Sequence, residues 1–165
     1  MLDIDLDLFF MQKTLDNAEK AYNNNEVPVG AVIVFENKVI AEGYNSVIRL
    51  SDPTAHAEII ALQIAGKKLN NYRLLNVELF VTLEPCLMCY SAMVHARIKR
   101  VIYGATDEKT GYYSTGSFDL IENIYNHKIE RVSGILETES SELLKKFFKE
   151  RRDAGAAERG GLENR

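Results

Sequence analysis

Residues 78–96 read ELFVTLEPCLMCYSAMVHA, and this stretch indicates how the chain folds. Its first six residues, Glu78 to Leu83, form a short apolar run that predicts a strand. Pro85 favours the first turn of a helix, which we expect to run to about Ala96. A strand followed directly by a helix is typical of layered α/β domains.

The flanking sequence continues this alternation of strands and helices. The expected elements are a helix at 8–23, hairpin strands at 27–35 and 39–44, a helix from Asp52-Pro53 to about Gly66, strands at 99–104 and 128–132, and a helix at 140–152. Interleaved helices and strands predict an α/β layer structure in which the hairpin supplies an antiparallel edge.

The composition is that of a single compact domain. The 165 residues carry a net charge of −4, and 46% of them are hydrophobic and 27% charged. No apolar run approaches the ~20 residues of a membrane span. The acidic start differs from a secretory signal, so we expect a cytoplasmic protein. We expect a domain at 1–152 and a disordered tail at 153–165, where three glycines and five charged residues leave little to bury.

Two short motifs place metal-binding side chains near the starts of two predicted helices. They are His-Ala-Glu at 56–58 and Cys-Leu-Met-Cys at 86–89. Cys86 and Cys89 share one face of a helix, and a helix N-terminus favours thiolates. With His56 they form a ligand set that suits zinc and leaves the fourth tetrahedral position for water. Glu58 is the candidate base beside that position.

The same residues are also compatible with a redox pair or a structural metal site. A C-x-x-C pair in an α/β protein can be a thioredoxin-like redox pair, although no tryptophan or Gly-Pro accompanies it here. A structural zinc site would need a fourth protein ligand. His95 is on the cysteine helix, but its position, about 240° around the helix from Cys89, turns it away. Taken singly, His56 is compatible with an ordinary surface or core histidine, and Glu58 with a first-turn charge that the helix dipole stabilises.

The two motifs together resemble the zinc signature of the cytidine-deaminase-like superfamily, H-x-E followed by P-C-x-x-C. Further stretches make the chain similar to the bacterial tRNA-specific adenosine deaminases. These are EVPVGAV at 26–32, DPTAHAEI at 52–59, NYRL at 71–74, VTLEPC at 81–86, KTG at 109–111, NH at 126–127, and the FF and RR pairs at 147–148 and 151–152. The resemblance covers about residues 10–152.

The resemblance implies a three-layer α/β/α fold whose central mixed sheet has about five strands. It also implies one zinc ion per subunit, held by His56, Cys86 and Cys89, with Glu58 as the catalytic residue. The implied reaction is hydrolytic deamination of adenosine to inosine in a tRNA anticodon loop, at the wobble position, by a homodimer. Matching positions that would contact substrate are Asn45, Val29, Leu83, Asp107, Lys109, Asn126, Phe148 and Arg152.

The main alternative is a deaminase of a free base or nucleoside (guanine, cytosine or cytidine) with the same zinc site. Residues 145–152, KKFFKERR, hold five basic side chains and one acidic one, which favours RNA because a small-molecule enzyme needs no basic C-terminal helix. After KTG the chain departs from the family pattern of small residues with Tyr112 and Tyr113. Their role stays open among base stacking, dimer packing and closure of the site.

Overall fold

The structure, a computed structural model, describes residues 3–118 and 124–162. Its elements are α1 Asp3–Asn23, β1 Gly30–Phe35, β2 Lys38–Tyr44, α2 Val47–Leu50, α3 Ala57–Leu69, β3 Glu78–Leu83, α4 Leu87–Ala96, β4 Arg100–Ala105, β5 Glu130–Ser133 and α5 Glu137–Leu162. None of the helices in these two ranges is long and apolar enough to cross a membrane.

The five strands form one mixed sheet, as predicted, and their order is β2-β1-β3-β4-β5. Strand β1 pairs antiparallel with β2 and with β3, whereas β3, β4 and β5 are parallel. The hairpin turns at Glu36 and Asn37, whose positive φ angles of 48° and 57° suit a two-residue turn. Because β1 runs opposite to β3, the start of β1 and the end of β2 meet the carboxyl ends of β3 and β4 at one edge.

Helices cover both faces of the sheet, which confirms the three-layer prediction. On one face, Phe10 and Met11 of α1 pack with Phe80 and Ile102 of the sheet, and α5 lies over β4. On the other face, α3 and α4 bury a second cluster that includes Met93. Full burial of each large apolar side chain stabilises the fold by about 1.5–3 kcal/mol.

Helix α3 lies very close to β2 at the end that carries the site. A Cβ atom at Gly43 would lie 2.5 Å from the carbonyl oxygen of Ala57, the first residue of α3. Only glycine therefore allows the start of α3 to rest on the sheet at this point.

The predicted start of α3 at Asp52-Pro53 was wrong. The helix begins at Ala57, after the unpredicted short helix α2. Asp52 instead caps a turn, since its Oδ1 accepts hydrogen bonds from the Thr54 N–H at 2.8 Å and the Thr54 hydroxyl at 2.7 Å. Such a local side-chain bond offers the backbone an alternative to the helix.

The last helix, α5, is longer than predicted. It runs from Glu137 to Leu162, beyond the predicted end of this helix at residue 152 and into the expected tail at 153–165. Residues 163–165 lie outside the described residues. Alanine, glutamate and arginine, which have high helix propensity, dominate residues 154–159. The helix is continuous across residue 152, the predicted end of the domain.

Candidate active site

The predicted metal ligands lie together at the N-termini of two helices. His56 is the N-cap residue of α3, Cys86 is the N-cap residue of α4, and Cys89 lies in the first turn of α4. The Sγ atoms of Cys86 and Cys89 lie 3.8 and 3.5 Å from Nδ1 of His56. The three ligand atoms all lie within 4.8 Å of one another. The two helix starts therefore converge on one point.

The spacing of these three atoms fits a zinc ion. Zn–N bonds of about 2.0–2.1 Å and Zn–S bonds of about 2.3 Å hold nitrogen and sulfur about 3.6 Å apart in a tetrahedral site. The observed distances from Nδ1 of His56, 3.5 and 3.8 Å, agree with this value. One imidazole nitrogen and two sulfurs are also ligands that zinc prefers. His56, Cys86 and Cys89 can therefore hold one zinc ion.

The two thiols differ in their readiness to ionise. The hydrogen bond from the Cys89 thiol, assisted by His56, lowers the pKa of Cys86 to about 4. The same contact, together with burial, raises the pKa of Cys89. The hydrogen bond to Cys86 also raises the pKa of His56. The thiolate is the form that ligates a metal, so Cys86 is ready to bind one.

Glu58 lies in the first turn of α3 and is only 3% exposed. Burial raises its pKa to about 7, although its own backbone N–H and the nearby His56 lower it in part. A carboxyl group with such a pKa can both accept and return a proton near neutral pH.

These residues border a cavity of about 540 Å³, a volume within the range of small-molecule sites. Of the predicted site residues, the cavity is lined by Val29, Asn45, His56, Glu58, Leu83, Cys86, Asp107, Lys109 and Phe148. Cys89 is fully buried in the core. The cavity thus brings most of the predicted site together at the carboxyl edge of β3 and β4.

Asn45 connects the end of β2 to the start of α3. Its Oδ1 accepts a hydrogen bond from the Ala57 N–H at 2.9 Å, and its backbone N–H donates to the Val29 carbonyl at 3.0 Å. Because the amide oxygen is engaged within the fold, Nδ2 is the group that Asn45 can offer to a ligand.

Asp107 and Lys109 follow β4 and have different environments. The Asp107 carboxylate accepts hydrogen bonds from the N–H groups of Lys109 and Thr110 and from the Thr110 hydroxyl. Burial opposes its charge, but these bonds lower the pKa of Asp107 overall. Lys109 is exposed and lines the cavity. Lys109 is therefore better placed than Asp107 to contact an anionic ligand.

Two predicted substrate residues lie outside this cavity. Asn126 lines a different cavity, near His95, and its Oδ1 accepts a hydrogen bond from Arg97 at 2.9 Å. Arg152 is exposed on α5, about one helical turn beyond Phe148. Phe148 is 44% exposed and lines the cavity. Contacts to Asn126 and Arg152 would require a ligand larger than the cavity.

The two tyrosines that interrupt the family pattern, Tyr112 and Tyr113, pack in or against the hydrophobic core. Tyr112 is fully buried and stacks on Tyr90 with ring centroids 3.7 Å apart. Tyr113 stacks against Tyr103 at 6.2 Å, and the Arg131 guanidinium lies 4.5 Å from its ring centroid. Tyr112 is therefore a core residue, and Tyr113 is a partly buried residue that packs against the core.

Two buried carboxylates at the cavity were not predicted from the sequence. Glu26 accepts hydrogen bonds from the N–H groups of Ile48 at 3.2 Å and Arg49 at 2.7 Å, and thereby holds α2 at the cavity. Glu84 does the same for the loop after β4. Both side chains are 2% exposed. Glutamate is ordinarily a surface residue, so neither was considered for the site, although both lie in stretches that match the family, 26–32 and 81–86.

The alternative of a closed structural zinc site disagrees with the geometry. Within the described ranges, no fourth histidine, cysteine or acidic side chain joins the group of His56, Cys86 and Cys89. His95 packs edge-on against Tyr125, with ring centroids 6.3 Å apart. The site has three protein ligands and opens into a cavity, which is the layout of a catalytic metal centre.

Comparison with known proteins links this site to deaminases. Residues 5–105 match the family described as the cytidine and deoxycytidylate deaminase zinc-binding region. A tRNA-specific adenosine deaminase from Haemophilus influenzae is 46% identical over 155 residues, which cover 93% of this chain and 90% of that protein.

Two solved structures extend the comparison. One comes from studies of A-to-I editing by tRNA:A34 deaminases at the wobble position of transfer RNA. It is 42% identical with a TM-score of 0.79, and the match covers 82% of this chain and 99% of that one. A guanine deaminase from Bacillus subtilis is 37% identical with a TM-score of 0.58 over 66% of this chain and 67% of that one.

Proposed function

We propose that this chain, which belongs to the cytidine and deoxycytidylate deaminase family and within it to the tRNA-specific adenosine deaminases, hydrolyses adenosine to inosine in tRNA. The observation that carries the proposal is the convergence of His56, Cys86 and Cys89 on one point beside the buried carboxyl of Glu58. The wobble position of the anticodon is the proposed target, supported by the similarity to a tRNA:A34 deaminase structure.

The residues of the site have two roles in the reaction, metal binding and proton transfer. When bound by His56, Cys86 and Cys89, zinc supplies Lewis acidity that activates a water molecule for attack at C6 of adenine. Glu58 accepts the two protons of that water in turn, passing the first to the ring nitrogen and the second to the departing amino group, so that ammonia leaves and the oxygen stays on C6.

The cavity can accommodate a single base next to these groups. Val29 and Leu83 provide apolar walls, and Nδ2 of Asn45 is a donor for the base edge. A base stacked inside a duplex cannot reach such a cavity, so the substrate must present its adenine from a single-stranded loop.

Contacts outside the cavity are proposed for the remaining nucleotides of the loop. Phe148 is half-exposed at the cavity and offers a stacking face, and Arg152 lies one turn further along α5. A homodimer, a cytoplasmic location, and contacts by Asp107 and Asn126 remain predictions from the family resemblance.

The function is tested with unmodified tRNA and, separately, with guanine, cytosine and cytidine. We expect one anticodon adenosine to become inosine, which sequencing reports as guanosine, and no ammonia release from the small molecules. Turnover of guanine without inosine in tRNA would establish the alternative instead, an outcome that the similarity to a guanine deaminase makes worth measuring.

Arg152→Ala is expected to weaken tRNA binding several-fold and to make it less sensitive to salt. One phosphate contact fewer lowers the slope of log K against log salt by about 0.7–0.9. The measurement is the affinity for an anticodon stem-loop across a salt series. Zinc content should not change, because Arg152 lies outside the metal site.

Lys68→Ala is the matched control for loss of one positive charge. Lys68 is exposed near the end of α3, about 18 Å along the helix from His56. Its removal should leave the salt slope unchanged. An Arg152→Ala protein with the wild-type affinity and slope would remove Arg152 from the RNA surface.

A further inference from the structure

We propose that Glu84 is a positioning residue that fixes the loop at 107–114 as one wall of the substrate cavity. The inference rests on the proposed function, because the loop supplies Lys109 and Thr110 to the cavity in which the base would bind. Glu84 follows β3 directly and precedes the metal ligand Cys86 by two positions. It therefore connects the metal site to the loop.

The Glu84 carboxylate receives four hydrogen bonds from this loop. Its Oε2 accepts the Asp107 N–H at 2.9 Å and the Ser114 hydroxyl at 2.5 Å. Its Oε1 accepts the N–H groups of Tyr113 and Ser114, both at 2.8 Å. The hydrogen bonds hold the loop at both ends, since Asp107 lies at its start and Ser114 at its end.

These four hydrogen bonds indicate that Glu84 positions the loop and is not itself a catalytic residue. A carboxylate has about four acceptor sites, two on each oxygen, and protein donors can fill all of them here. Glu84 is also 2% exposed. Although it borders the cavity, it has no acceptor site left for a substrate, so it acts through the loop that it holds.

The loop is built to fit against this carboxylate. The backbone of Gly111 pairs with that of Cys86 in an isolated antiparallel β-bridge, and the Tyr112 N–H donates a hydrogen bond to the Pro85 carbonyl at 2.9 Å. A Cβ atom at Gly111 would lie 2.4 Å from Cδ of Glu84 and 2.5 Å from the Asp107 carbonyl oxygen. Any side chain at Gly111 would push the carboxylate and the loop apart, so glycine is required there for close approach.

The test is Glu84→Gln, which preserves the shape but offers one acceptor oxygen and places an NH₂ group against backbone donors. We expect KM for a tRNA anticodon stem-loop to rise about 10-fold, the scale of one to two lost hydrogen bonds, with a smaller change in kcat. Zinc content should stay at the wild-type level. Hydrogen exchange should accelerate at the amides of Asp107, Tyr113 and Ser114.

Two further variants serve as comparisons for Glu84→Gln. Ser114→Ala removes only the hydroxyl bond and should raise KM about two- to three-fold, in the same direction. Glu78→Gln is the matched control, since Glu78 lies at the opposite end of β3 and accepts a hydrogen bond from Arg100 at 3.1 Å. It should leave KM and the exchange of the loop amides unchanged.

The inference is overturned if Glu84→Gln folds, binds zinc and shows wild-type KM and loop exchange. Should that variant fail to fold, Ser114→Ala decides, and an unchanged KM and exchange would overturn the inference equally. Wild-type protein that leaves tRNA unmodified would contradict the proposed function. The exchange measurement needs no substrate, so it would still show whether Glu84 holds the loop.

Discussion

Glu58→Gln is expected to lower kcat for inosine formation by about 10²- to 10⁴-fold, the typical contribution of a general acid–base. The amide has nearly the same shape as the carboxyl, so the 3% exposed side chain should still pack at the start of α3. It cannot accept a proton from water or return one to the leaving amine. Single-turnover measurement of inosine in tRNA isolates this chemical step from binding.

The same protein should retain its zinc and its fold. Glu58 is not among the three side chains whose ligand atoms cluster within 4.8 Å. Metal analysis and thermal unfolding check this directly, with Glu36→Gln in the exposed hairpin turn as the control for the same change of charge. Loss of zinc in Glu58→Gln would mean that Glu58 supports the metal, and retained activity would mean that another group moves the proton.

Those parts of the fold that depend on local pattern were predictable from the sequence. Glu78 to Leu83 is a strand at the predicted bounds because its apolar run is short and ends just before a proline. The hairpin was predictable for the same reason, since polar residues separate its two apolar runs. The start of α3 was not, because the Asp52 side chain stabilises a turn that competes with the helix.

The candidate site, like the fold, could be predicted from the sequence only in part. His56, Cys86 and Cys89 were predicted because the H-x-E and C-x-x-C motifs together match a zinc signature, and in the structure their ligand atoms lie within 4.8 Å of one another. Glu26 and Glu84 were missed because their partners are backbone N–H groups more than twenty residues away, at positions that only the fold brings near. The spacing of residues along the chain can indicate ligands of a common metal ion. It does not indicate which carboxylate accepts hydrogen bonds from distant backbone N–H groups.

Cys86→Ala and Cys89→Ala are each expected to lose zinc, activity and stability together. Removing one of three protein ligands leaves too few to retain the ion, and metal binding is coupled to folding. A ligand present at about 1,000 times its Kd stabilises by about 4 kcal/mol, and about 1 kcal/mol shifts Tm by about 2–4 °C in a chain of this size. We therefore expect Tm to fall by about 10 °C.

Two comparisons separate loss of the metal from loss of the side chain. Leu87→Ala changes the helical turn between the two cysteines at a position that is 40% exposed, and it should keep zinc and activity. Wild-type protein stripped by a chelator should unfold near the Tm of Cys86→Ala, because both lack the same ion. A stripped protein with an unchanged Tm would show that zinc does not stabilise the fold. Full zinc content in both alanine variants would show that the ion is held elsewhere.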